Sequence, residues 1–177
     1  MPGYIAKILQ RFLHPTPKRP EHQPHQYVQP QYGTKVQLTE SEDKTHLLQP
    51  KDITKLQQII GMMLYYAMAV GGTLMYTLNE LASEQANGTQ TTLRATKKLM
   101  DYCHTHSYAT IRYFESQMKL HIHSNALYLS ASKARSRVGG QFLLSDHFDT
   151  SSPTKHNVSV LVVANVLKNV MASSAEA

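Results

Sequence analysis

Apolar positions recur along this chain with two different periods, and the change falls near residue 110. Residues 2–13 place Ile5, Ile8, Leu9 and Phe12 at helical spacing, with Lys7 and Arg11 four apart on another side. Residues 51–69 predict the longest helix, with Leu56, Ile59, Ile60, Met63 and Leu64 as a continuous apolar face. Gly71-Gly72 breaks it. A second helix over 73–86 carries the stripe Leu74, Leu78 and Leu81, and Asn87-Gly88 ends it as a C-terminal cap does. Thr89 then suits the N-cap of a third helix reaching Cys103, apolar at Leu93, Leu99, Met100 and Cys103.

Beyond this point the period becomes two. Residues 109–113 read as a short strand. Met118, Leu120, Ile122 and Ser124 then alternate with Lys119, His121, His123 and Asn125. Val138–Leu144, with Gly139-Gly140 at its opening, and Val158–Val170 read as two further strands. The predicted fold class is α+β, a small three-helix unit followed by an antiparallel three-stranded meander.

Residues 14–50 fit neither period. Pro15, Pro17, Pro20, Pro24 and Pro30 fix backbone dihedrals and remove amide donors, which excludes long helices and central strands. A connector of this length either lies across a larger body or is loose. The chain therefore divides into 1–13, the connector 14–50, a helical region 51–108 and a strand region 109–177.

Composition narrows the class further. Lys and Arg number 18 against 12 Asp and Glu in 177 residues, a surplus that suits a polyanionic partner such as nucleic acid or simply a basic surface. One cysteine, Cys103, allows no internal disulfide and favours a reducing, intracellular compartment. No secretory leader is expected, since Met1–Leu13 is too polar for an apolar leader core. The most apolar stretch, Ile59–Val70, is shorter than the roughly 20 residues of a membrane span, so no membrane partner is expected.

The residues offer little for catalysis by motif. His104 and His106 lie near Cys103, and His121 and His123 share a strand face, but neither pair has the spacing of a four-ligand zinc site. No phosphate-binding glycine loop and no nucleophile elbow is present, and no metal or cofactor is expected. Two basic groups remain as candidate phosphate contacts: Arg94, Lys97 and Lys98 on the third helix, and Lys133, Arg135 and Arg137 between the first two long strands. Each reads equally as a solvated helix face or hairpin tip.

A family resemblance rests on several colinear runs. Gln57-Gln58-Ile59-Ile60-Gly61, Leu64-Tyr65-Tyr66-Ala67 and Ala69-Val70 resemble the segment after the thumb of LTR-retrotransposon reverse transcriptases, copia-type or gypsy-type. Met1–Ile5 and Leu9–Phe12 resemble the stretch before it. Leu120–Ser124, Ala126, Tyr128–Ser130 and Lys133–Gly140 resemble the opening strands of the element's RNase H domain, and Asn169–Ala177 resembles the run into its first helix. The likeness spans nearly the whole chain in the expected order.

The resemblance implies a polyprotein fragment whose strand half is an incomplete RNase H-like meander. It also implies the family's mechanism, in which carboxylates hold two magnesium ions that cleave the RNA of an RNA–DNA hybrid. The chain departs from that pattern at its first ligand. Where the family reads Ser-Asp-Ala-Ser-Tyr, this chain reads Ser124-Asn125-Ala126-Leu127-Tyr128, so Asn125 replaces the catalytic Asp. A carboxamide brings no negative charge to offset dehydrating a cation. The family's first-helix ligand follows a Ser-x-x-Glu-Ala-Glu run, and this chain reaches only Glu176-Ala177. Met68 replaces the family's Arg, and Gly71 stands where Asp is common.

The expectation is thus a non-catalytic retroelement fragment that binds nucleic acid, an RNA–DNA hybrid in particular, at most. The alternative is a co-opted interaction module that self-associates through the open sheet edge formed by the apolar strand 158–170. An active magnesium nuclease is the third reading and lacks its ligands.

Overall fold

The computed structural model describes residues 1–26, 43–131, 135–147 and 156–167. The chain is α+β, with four helices and one open three-stranded antiparallel sheet. It divides into two compact units near residue 109, one helical and one β.

The helical unit contains α1 (Tyr4–Arg11), α2 (Pro50–Ala69), α3 (Met75–Glu84) and α4 (Gln90–Thr105), with 3-10 turns at Gly72–Leu74 and Gln85–Asn87. The unit predicted as three helices has a fourth member. The apolar side of α1 is buried at Ile5, Ile8 and Leu9, and the helix packs on α4 and α2. These side chains join Leu56, Ile59, Ile60 and Met63 of α2, Leu78 and Leu81 of α3, and Leu99 and Cys103 of α4 in one core. Helical spacing alone could not assign α1 a partner 80 residues downstream.

Local chemistry explains the helix boundaries. Pro50 opens α2, where its missing N–H removes no intrahelical bond. Gly71 ends the α2 turn because a Cβ there would lie 2.9 Å from the Tyr66 ring. Gly3 precedes α1 at φ 70°, a conformation that favours glycine. Thr89 caps α4 as predicted: its Oγ1 accepts from the Thr92 amide, and the Thr92 hydroxyl accepts from the Thr89 amide, each at 3.2 Å. Residues 46–48 pair with 88–90, since Leu48 N–H donates to Gly88 O and Gln90 N–H donates to His46 O. This tie plants the start of α2 beside the start of α4.

The described part of the connector is not loose. Residues 14–26 contain no helix or strand, as the prolines require, and they lie along α4. His14 meets Asp101 at 2.7 Å, Glu21 N–H donates to the Thr105 hydroxyl at 3.0 Å, and His22 meets His106 at 3.2 Å.

The β unit contains β1 (Lys119–Ala131), β2 (Arg135–Ser145) and β3 (His156–Val166), in that spatial order. The three long strands stand where the alternation placed them. The short strand expected at 109–113 does not form. Residues 107–118 have no regular structure, and side chains satisfy the backbone of Phe114, Gln117 and Met118 instead. The buried Asn157 carboxamide accepts from Phe114 N–H at 2.6 Å and donates to Phe114 O at 3.0 Å, imitating a strand partner. Asp146 accepts from Gln117 N–H at 3.1 Å.

Candidate nucleic-acid interface

The basic face of α4 follows from helical spacing, since positions 94, 97 and 98 lie on one side. Arg94 is exposed and braced by its own helix, donating from Nε to Gln90 O at 3.3 Å and from Nη2 to the Thr91 hydroxyl at 3.4 Å. Lys97 is exposed. Lys98 differs: its ammonium is held by the Glu21 carboxylate of the connector at 2.5 Å. That hydrogen bond is the main reason the Glu21 carboxyl titrates below its ordinary value. Of the three predicted cations on this helix, two face solvent and one is already neutralised.

The second basic group is corrected by the structure. Lys133 lies outside the described residues. Arg135 and Arg137 sit within β2 rather than on a turn. Arg135 is half-buried, opposite Ala131. Arg137 lies opposite Leu127 on one side and Val166 on the other, and is only 3 % exposed. An enclosed guanidinium cannot meet a phosphate without moving its surroundings, so Arg137 is not part of an exposed patch. Residues two apart share a strand face, but the alternation did not say how deep that face lies.

Asn125, the position where the resemblance expects a carboxylate, is exposed in the middle of β1, opposite Gly139. Its strand neighbours on that face are His123 and Leu127. Gly139 in turn lies opposite Ala164 of β3, so the register brings no carboxylate beside Asn125 on that row. Glu176 lies outside the described residues. No three His, Cys, Asp or Glu side chains among the described residues converge on a possible ion position.

The sheet does assemble a histidine group that the strand pattern showed only in part. His156 of β3 lies edge-on to both His121 and His123, with ring centroids 5.1 and 5.3 Å apart. His121 also meets Asp146 O at 2.8 Å. His121 pairs in register with the buried Leu143, so these rings share the face on which Leu143 is covered. Local alternation could not place His156 in this group, because two register irregularities in the β2–β3 pairing carry it there.

A cleft also lies in the helical unit, about 410 Å³ in volume, between the end of α2 and the end of α4. Tyr66, Leu74, Tyr102, Cys103, His106 and Tyr108 line it. Burial pushes the Cys103 thiol up to about 12, so it stays protonated and unreactive at neutral pH. Burial likewise raises the Tyr66 phenol. The cleft offers aromatic walls without an activated nucleophile. Its walls come from two distant stretches, 66–74 and 102–109, which no local pattern connects.

No helix among the described residues is long and apolar enough to cross a membrane. Comparison with known proteins finds no matching family model, curated protein or solved structure.

Proposed function

We propose that this chain is a non-catalytic, retrotransposon-derived fragment, resembling the end of a reverse transcriptase followed by the first strands of an RNase H domain. Its remaining capacity is electrostatic binding of nucleic acid. The observation that carries this reading is Asn125. It is an exposed carboxamide in the middle of the first strand of a β1–β2–β3 antiparallel sheet, at the position where the resembled family holds its first metal-binding Asp. A two-magnesium hydrolytic centre depends on anionic oxygens, and this position supplies none. Arg94 and Lys97 are the exposed cations that favour phosphate contact.

The test has two arms. A labelled RNA–DNA hybrid incubated with magnesium and the full chain should remain intact; chelator-sensitive cleavage would overturn the non-catalytic reading. In binding, the chain should prefer hybrid over duplex DNA, with affinity falling as salt rises. Arg94→Ala with Lys97→Ala should flatten the salt slope by roughly 0.7–0.9 for each phosphate that the variant no longer neutralises. Lys98→Ala should change it less, because Glu21 already occupies that ammonium. Binding that ignores salt would remove the electrostatic part of the proposal.

A further inference from the structure

Three imidazoles gather at one end of the β unit. The His156 ring centre stands 5.1 Å from that of His121 and 5.3 Å from that of His123. Strand β2 runs between β1 and β3, so this closeness is made by the folded sheet and not by sequence spacing. His121 is half-buried, while His123 and His156 are exposed. One of the three rings is held in place. His121 Nε2 lies 2.8 Å from Asp146 O. A carbonyl oxygen only accepts, so Nε2 carries the proton, and the neutral ring keeps its lone pair on Nδ1. Metal-bound histidines share this arrangement, with one ring nitrogen on the ion and the other donating to a backbone carbonyl.

We infer that His121 and His156 form a two-imidazole site for a zinc ion, with His121 Nδ1 as the fixed ligand. The ring separation decides the kind of ion. Zinc–nitrogen bonds of about 2.0–2.1 Å put each ring centre roughly 3.2 Å from the metal, and a tetrahedral angle then sets two centres about 5.2 Å apart. A right angle, as in square-planar or octahedral coordination, would bring them to about 4.5 Å. The observed 5.1 Å matches the tetrahedral ion. The two ring planes stand 74° apart, and the exposed His156 side chain can turn to aim a nitrogen at the same point. No group of three His, Cys, Asp or Glu converges among the described residues, so water completes the coordination. Binding is then weaker than at a closed four-ligand site. Magnesium is a poor occupant, because it prefers oxygen ligands. The chain's other close histidine pair is less suited. His22 Nδ1 and His106 Nε2 are bonded to each other at 3.2 Å, and a metal would have to break that bond. The site lies within the β unit and does not use Arg94 or Lys97, so it stands or falls apart from nucleic-acid binding.

Calorimetric titration of the metal-free full chain with zinc chloride tests this from about 1 to 100 µM, a range that brackets micromolar affinity. The expected result is saturable zinc binding in that range and none with magnesium chloride. His121→Ala and His156→Ala should each weaken zinc binding by roughly tenfold or more. The double variant should be no weaker than either single one, since each loss breaks the same chelate. His106→Ala should leave the affinity unchanged. Imidazole nitrogen NMR of the wild-type chain gives a readout that needs no variant to fold. Zinc should move the His121 Nδ1 signal while Nε2 stays protonated. A wild-type chain that takes up no zinc by about 100 µM overturns the inference. So does zinc bound as tightly by His121→Ala as by the wild type, or zinc found on His121 Nε2.

Discussion

The helical unit and the β unit use their apolar residues in opposite ways. Seventeen hydrophobic side chains of the helical unit are buried in one cluster. Among the described residues of the β unit, Leu143 alone joins the buried hydrophobic set, while Leu120, Ile122, Val160 and Leu161 stay exposed. A helix buries a stripe wherever a second helix can lie across it, and four helices suffice to close such a core. A three-stranded sheet has two faces and two edges, and something else must cover at least one of them. The order of the β unit therefore rests more on backbone pairing and polar clasps than on burial.

The sharpest way to break this contrast is to remove equal volumes from each unit. Leu78 is fully buried in α3, so Leu78→Ala should destabilise the helical unit by about 2–5 kcal/mol. Ile122→Ala, at an exposed position of β1, should cost about 0.5 kcal/mol or less. Hydrogen exchange read segment by segment during urea titration separates the two units. Equal losses at the two positions would mean that the β face is covered within the monomer, and the contrast would fail.

The second effect is polar and belongs to the β unit. Asn157 is 6 % exposed and ties β3 to the irregular segment 114–116 through Phe114 N–H, Phe114 O and the Ser116 hydroxyl. Removing it strands a backbone donor and acceptor. Asn157→Ala should cost about 1–3 kcal/mol, and the Phe114 amide should lose protection while α2 and α4 amides keep theirs. Unchanged exchange at Phe114 would show that water replaces the carboxamide without loss.

What could be read from the sequence follows the range of the interaction involved. The stripes at Leu56–Met63 and Leu74–Leu81, the Thr89 cap and the alternation through Leu120–Asn125 are local, and the structure has helices and strands there. The segment 109–113 has strand-forming residues but no strand, and the adjacent Phe114 both donates to and accepts from Asn157, more than 40 residues away. Placement of α1 on α4, the capture of Lys98 by Glu21 and the arrival of His156 beside His121 are long-range facts of the same kind. The candidate interface divides likewise. Helical spacing grouped Arg94 and Lys97 correctly on a solvent face, whereas the depth of Arg137 depended on its cross-strand neighbours. The aromatic cleft was illegible because neither of its two contributing stretches carries a motif.

The smallest expected effect concerns the seam that starts both long helices. Asp43 accepts hydrogen bonds from the Thr89 and Thr91 hydroxyls, and from the Thr45 amide and hydroxyl, at the N-terminus of α4. The Thr89 bond leads these causes, and together they lower the carboxyl from 3.8 to about 2. A depressed folded-state pKa means that the ionised carboxylate stabilises the fold above about pH 4. That contribution declines as the pH falls through the interval from 3.8 to about 2 and is gone below it. The group is exposed, so solvent screening reduces its worth to about 0.5–1 kcal/mol, including its favourable placement at a helix N-terminus. Asp43→Asn should therefore lower the melting temperature of the helical unit slightly at pH 7. The gap between variant and wild type should close as the pH approaches 2, while hydrogen exchange in β1–β3 is unaffected. A gap that stays constant from pH 7 to pH 2 would assign the role of Asp43 to shape and hydrogen bonding, with no contribution from its charge.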